Sequence, residues 1–377
     1  MLWMYAGFIA LVLILLALDL GVFHRKAHVV SMKEALGWSA FWIALGLAFA
    51  VFIYFGYERH WLGLGLTPDL MTATPQAVEG VGLSYNDGYS AAVKYITGYL
   101  VEKSLAVDNI FVIAMVFGFF AVPAMYQHRV LFWGIVGALV MRGAMIAVGA
   151  QLIQRFTWII YVFAVFLIVT GIKMLLLKTN ETDPNRNLVV RLTRRLFPVS
   201  ERFHGQHFFV TAGSAASHEA ATPGAPEEVD RVLDAAPAGT LLATPLFLAL
   251  IMVEFTDLVF AVDSIPAIFA VTADPYLVFT SNVFAILGLR SLYFALAGMI
   301  DKFRYLKVAL AFVLMVVGVK MMTHVWLKEL LGPHFNLYLL GVVLLILAAG
   351  VVASLVASRR EGASAKGGPG EPASPVE

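Results

Sequence analysis

The sequence predicts an all-α, polytopic membrane protein of about nine transmembrane helices, in which two three-helix units form an inverted repeat. Three observations lead there. Of 377 residues, 60% are hydrophobic and 14% charged, with a mean hydropathy of +0.83, more apolar surface than a water-soluble core can hide. Apolar runs of about 20 residues recur along the chain, the length that crosses a bilayer as a helix. Two stretches also repeat one another at a fixed offset, the signature of an internally duplicated architecture.

In chain order, the apolar runs predict spans at roughly 3–23, 35–56, 89–121, 130–150, 157–177, 242–272, 276–298, 308–323 and 335–357. The first lacks a small-residue cleavage site and carries Asp19, so it reads as a retained span and not a signal peptide. The chain then divides into two N-terminal helices (1–56), an outer loop (57–88), a first repeat (89–177), a cytoplasmic loop (178–241), a second repeat (242–323), a C-terminal helix (324–357) and a flexible tail (358–377). The loop 178–241 starts basic and turns Ala/Pro/Glu-rich after about Gly213, a composition that favours disorder. His207–Val210 and Leu241–Leu242 read as short strands flanking that stretch. With the N-terminus outside, seventeen Lys and Arg fall on the cytoplasmic side and three in outer loops. The positive-inside rule then predicts N-terminus out and C-terminus in, and the membrane expected is a bacterial-type inner membrane.

The repeat is explicit. Ile153-Gln-Arg-Phe156 with Gly171-Ile-Lys-Met174 matches Ile300-Asp-Lys-Phe303 with Gly318-Val-Lys-Met321, offset by 147 residues at both ends. Leu105–Ile110 matches Phe260–Ile265, and Met141-Arg142-Gly143 matches Leu289-Arg290-Ser291. The third span enters from outside and the sixth from inside, so the two units are inverted, a transporter architecture whose site lies near midplane.

Charge inside the spans locates that site. The third span carries Glu102, Lys103 and Asp108, and the sixth carries Glu254, Asp257 and Asp263. A carboxylate at bilayer centre costs about 2.5 to 3.5 kcal/mol on insertion scales, so five of them imply cations, partners or water. At 100° per residue, Glu102 and Asn109 share one helix face, as do Asp257 and Ser264. Asp108 and Asp263 lie about 120° away, so all four acids converge only if the helices break. The third span, about 50 Å long if helical, and Pro266, which should free the Val262 carbonyl, both suggest such breaks. Lys103, Arg142 and Arg290 are expected to balance three of the acids, leaving two negative charges for a divalent cation or for protons. Lys94, Lys173 and Lys320 are expected to snorkel to the interfaces.

Other chemistries are excluded or disfavoured. A net charge of +1 gives no footprint for nucleic acid, and zero cysteines exclude disulfides, thiolate zinc and a thiol nucleophile. All nine histidines fall in loops or near span ends, with His204 and His207 reading as a solvated pair. There is no intramembrane protease motif of the GxGD or HExxH kind, so no enzymatic role and no permanent cofactor are expected. Carboxylate, amide, carbonyl and hydroxyl oxygens suit hard divalent ions, Mn²⁺, Mg²⁺ or Ca²⁺.

The chain resembles the TerC family of integral membrane proteins, including its Alx-type manganese exporters. The likeness rests on Asp19-Leu-Gly-Val-Phe-His-Arg25, Trp61-Leu-Gly-Leu-Gly-Leu-Thr-Pro-Asp69, Glu102-Lys-Ser-Leu-Ala-Val-Asp-Asn109, Phe203-His-Gly205, Glu254-Phe-Thr-Asp-Leu-Val-Phe-Ala-Val-Asp-Ser-Ile-Pro266 and Ser281-Asn-Val-Phe-Ala-Ile-Leu-Gly-Leu-Arg-Ser291. The resemblance implies export of divalent metal, chiefly Mn²⁺, a link to tellurite resistance, and kinship with LysE-type transporters. By it, Asp19, Glu102, Asp108, Asn109, Glu254, Asp257, Asp263 and Ser264 are the ion-pathway positions. The partners expected are the metal ion and the bilayer. The rival expectation is a non-transporting membrane scaffold of a tellurite or stress-resistance complex.

Overall fold

The computed structural model describes residues 2–21, 31–69, 76–78, 80, 82–156, 158–176, 188–214, 230–296, 305–323, 326–327 and 335–366. Its helices are α1 (Leu2–Gly21), α2 (Met32–Glu58), α3 (Gly88–Phe119), α4 (Ala124–Arg155), α5 (Ile159–Leu176), α6 (Leu188–Leu196), α7 (Arg231–Ala235), α8 (Pro245–Phe269), α9 (Pro275–Ile286), α10 (Leu289–Leu296), α11 (Leu306–Met322) and α12 (Phe335–Lys366). Among the described residues, each of the nine apolar stretches contains helix, the seventh as two helices. By length and apolarity, α1, α2, α4, α5, α8 and α12 can each cross a membrane, and the pair α9 and α10, bent by 40°, makes a seventh candidate. The chain is therefore a mostly helical, multi-pass membrane protein. Of the other two stretches, α3 has 32 residues but carries Lys94, Glu102, Lys103 and Asp108, and α11 has 17 residues.

Helix ends follow local chemistry. Ser31 accepts from the Glu34 N–H, Asp87 from the Ser90 N–H at 2.7 Å and Asp274 from the Tyr276 N–H at 3.0 Å, each satisfying a donor with no helical partner. Pro245 and Pro275 open α8 and α9, where the missing N–H costs nothing.

The expected breaks are elsewhere. α3 and α8 run unbroken through their acids, with Pro266 inside the last turn of α8, where only a short stretch of helix follows it. The break falls instead between α9 and α10, at Gly288 with φ +79°. A Cβ there would sit 2.5 Å from that of Trp42, so close packing of α2 as well as backbone conformation requires glycine.

α5 and α11 form a close helix pair. Gly171 lies against the Ala311 carbonyl and Met315, and Gly318 lies against the Ala164 carbonyl and Ile168, so that an added Cβ would meet atoms at 2.7 to 2.9 Å on either helix. Each residue on α5 has its counterpart on α11 at the same 147-residue offset. Apolar side chains of α4, α5, α8 and α11, among them Ile146, Leu167, Phe269 and Leu314, fill the core around them.

In the 178–241 segment, β3 (Phe209–Thr211) pairs antiparallel with β4 (Leu241–Ala243), where the sequence placed its two strands. His204 is not solvated: it is fully buried, with Nε2 3.4 Å from Asp230. A second hairpin, β1 (Gln76–Val78) with β2 (Gly82–Ser84), lies in the 57–88 loop. The helix α12 runs on to Lys366, beyond the expected start of the tail. The signature Ile300–Phe303, the Ala/Pro/Glu-rich stretch 215–229, the tail's end, and His24, His28, His218, His324 and His334 lie outside the described residues.

Candidate functional site

Where α3, α4 and α8 meet, a single guanidinium organises the acids. Arg142 on α4 donates to both carboxylate oxygens of Asp257, Nη2 to Oδ1 at 2.7 Å and Nε to Oδ2 at 3.0 Å, a bidentate fork. Its Nη1 donates to Glu102 Oε1 and, at 3.3 Å, to Ser264 Oγ. Asn109 Nδ2 reaches Asp257 Oδ1 at 3.5 Å. Glu102, Asn109, Arg142 and Ser264 are all buried, so these contacts form in low dielectric, where they are strong and where an unpaired partner is costly. The periodicity that put Glu102 with Asn109 and Asp257 with Ser264 on common faces delivers both faces to one guanidinium.

Not every hydrogen-bonding atom is used. Glu102 Oε2, Asn109 Oδ1 and Glu254 Oε2 are buried oxygens without a hydrogen-bond partner among the described residues. Glu254 lies one turn before Asp257 on α8, and Gly137 on α4 makes room for it, since a Cβ at that position would overlap the carboxylate. Acceptors left over in the interior suit a cation or a proton. Among the described residues, however, no three His, Asp or Glu side chains are grouped closely enough to hold a metal ion.

The remaining expected residues lie apart. Asp263 faces α5, with Oδ1 3.4 Å from Thr170 Oγ1. Asp19 on α1 pairs with Arg290 on α10 at 2.6 Å. Arg290, expected to balance one of the five central acids, thus pairs with Asp19 of the first helix. Lys103, expected to balance a carboxylate, donates to the carbonyls of Ala285 and Leu287 at 3.0 and 3.1 Å. These acceptors are freed by the α9–α10 break, and a cation suits the C-terminal end of α9. Asp108 lies within α3, but its side chain is outside the described part.

A second buried network was missed in the sequence. Lys94 and Lys320, expected to snorkel, are buried. Lys94 pairs with Asp69 at 2.8 Å, and Lys320 donates to the Ala270 carbonyl. Asp69 also accepts from Thr272 Oγ1 at 2.7 Å and the Ala273 N–H at 2.8 Å, tying the 57–88 loop to the turn between α8 and α9. In that turn Asp274 accepts from the Tyr57 hydroxyl at 3.0 Å and from Asn86 Nδ2 at 3.4 Å. Burial acts to raise the Asp69 carboxyl, but the Lys94 ammonium and the hydrogen bonds of Lys94, Thr272 and Ala273 outweigh it and hold the group below the usual range. Burial and the neighbouring Asp69 charge push Asp274 up to about 6. The available signal was Asp69 itself, buried in a Gly- and Pro-rich loop next to the Asn86-Asp87-Gly88 helix start.

Helical bundle and buried acid–base cluster together define a multi-pass integral membrane protein with ionisable groups in its interior. Residues 88–362 match the integral membrane protein TerC family, and the chain belongs to it. Among relatives, "Uncharacterized membrane protein STKORF319" of Myxococcus xanthus is 46% identical over 356 residues, 94% of this chain and 93% of its own length. Proteins of Salmonella typhi and Escherichia coli K12, both named "Putative membrane-bound redox modulator Alx", are 41% and 40% identical over 346 residues, in each case 90% of this chain and 93% of the relative. No solved structure matches.

Proposed function

We propose that this chain is a secondary transporter that exports a divalent metal cation, with Mn²⁺ the cargo favoured by the family resemblance, in exchange for protons. The observation that carries the reading is the set of leftover oxygens, Glu102 Oε2, Asn109 Oδ1 and Glu254 Oε2, on helices gathered around Arg142. In this scheme Arg142 holds Glu102 and Asp257 until an entering cation displaces the guanidinium. Protonation of the crowded carboxylates then releases the cation. The full reading has nine spans, two inverted three-helix units and an inner-membrane protein with N-terminus out and C-terminus in. It draws support from the reciprocal Gly171 and Gly318 contacts, whose partners keep the 147-residue offset.

One observation favours the rival reading, a membrane scaffold of a tellurite or stress-resistance complex: Arg142 already satisfies much of two carboxylates, as a purely structural cluster would. The relatives' redox name fits either reading only indirectly, because with no cysteine a redox effect cannot pass through a thiol of this chain. Radioactive Mn²⁺ flux into proteoliposomes separates the two. Native protein should carry the ion, with flux lost in Glu102→Gln and Asp257→Asn and lowered in Asp263→Asn. Equal flux in all four proteins removes the site, and no flux with no cation-dependent stabilisation of the native chain leaves the scaffold.

A further inference from the structure

We propose that α6 is a membrane-surface helix that binds the headgroups of anionic phospholipids on the side of the 178–241 segment. Its sequence, LVVRLTRRL, contains three arginines and no acid. On a 100° wheel Arg191, Arg194 and Arg195 share an arc of about 100°, Leu192 and Leu196 occupy the next arc, and Thr193 and Val190 fill the arc that closes the circle between Leu196 and Arg194. The structure uses those faces differently. Val190 and Thr193 are buried, whereas all three arginines are exposed and Leu192 and Leu196 are 53% and 66% exposed.

An exposed leucine edge beside a basic arc makes little sense in water. At a bilayer surface it does: leucines enter the acyl boundary and guanidiniums meet phosphates. The depth is set by neighbours. Phe197, directly after α6, lies 6.4 Å ring to ring from Phe247 in the first turn of α8, and Phe209 of β3 lies 4.4 Å from the same ring. The end of α6 is thus level with the point where α8 starts its apolar run. A soluble acidic protein would meet the arginines but not the leucines, so charge and apolarity together select a lipid with a phosphate headgroup.

Amide hydrogen exchange across 188–197, measured on the full chain in nanodiscs, tests this. In phosphatidylglycerol discs exchange should be about fivefold slower than in phosphatidylcholine discs, the scale expected when basic side chains near an anionic surface hold the helix down. High salt should shrink that difference, and soluble glycerol phosphate added to phosphatidylcholine discs should not reproduce it. The triple substitution Arg191→Gln, Arg194→Gln, Arg195→Gln should abolish the lipid preference, while Leu192→Ser with Leu196→Ser should speed exchange in both lipids. Unchanged exchange in β3 and β4 certifies the fold of each variant. Equal protection in the two lipids, a preference that survives loss of the arginines, or full protection by glycerol phosphate overturns the proposal.

Discussion

Replacing Arg142 by Gln removes the one cation that, among the described residues, contacts both Glu102 and Asp257. The change deletes the bidentate pair at 2.7 and 3.0 Å, the Glu102 contact and the 3.3 Å bond to Ser264, leaving the buried Glu102 and the part-buried Asp257 without it. Breaking a buried pair from one side typically destabilises by about 3 to 5 kcal/mol, since the residual charge keeps its desolvation penalty. If the acids form a cation site for which Arg142 competes, the vacated site should bind Mn²⁺ more tightly than the native one. A ligand at 100 times its Kd returns about 2.7 kcal/mol, most of what was lost. The assay is thermal unfolding in detergent with chelator and then with rising Mn²⁺. Arg142→Gln should melt well below native in chelator and recover most of the gap with the ion, while Arg142→Lys should lie between. Recovery no larger than the shift seen for the native chain would refute displacement of the guanidinium by cargo, even if the variant is unstable.

Other consequences are separable from this one. Gly137→Ala places a methyl into the Glu254 carboxylate, so Mn²⁺ flux should fall at least tenfold, an effect of about 1.4 kcal/mol or more in barrier terms, with little change in melting temperature. Gly171→Val and Gly318→Val each force apart α5 and α11, and both should lower stability by about 1 to 3 kcal/mol in thermal or denaturant unfolding; a neutral result at either position would show that the two contacts are not equivalent. Lys103→Met leaves the Ala285 and Leu287 carbonyls without their donor and should destabilise by about 1 to 3 kcal/mol, seen as faster hydrogen exchange in α9 and α10.

Most of the architecture was legible because a bilayer imposes a length and an apolarity that water does not. Among the described residues each apolar stretch contains helix, and the acids of α3 and α8 stood out because charge inside such runs is rare. What the sequence concealed was pairing between elements distant in the chain. Asp19 and Arg290 join α1 to α10, and nothing local in either segment indicates the other. The break was misplaced for a similar reason. Pro266 is a local signal, yet α8 runs through it, whereas at Gly288, with φ +79°, Trp42 of α2 packs where a side chain would stand. Lys94 read as an interfacial lysine because its anion, Asp69, comes from a loop that the hydropathy pattern leaves uninterpreted.

Asp274 gives the second network a pH dependence whose sign follows from its environment. Its ordinary value is 3.8 and its folded value about 6, raised by burial and then by Asp69, so between those pH values the native state holds a proton that the unfolded chain does not. The stabilisation is full below about pH 4 and is lost as pH rises through about 6, with an upper scale of about 3 kcal/mol for two pKa units at a fully buried group. Asp69 has the opposite shift and stays charged throughout that window, so it keeps Lys94 while Asp274 changes state. Acidification from pH 7.5 to 5 should therefore slow hydrogen exchange in residues 82–88, where Asn86 bonds to both acids. Asp274→Asn should remove that pH difference while Asp69→Asn loosens the segment at every pH. An Asp274→Asn protein with the native pH response would place the titration elsewhere and reduce the network to a fixed clasp between the 57–88 loop and the α8–α9 turn.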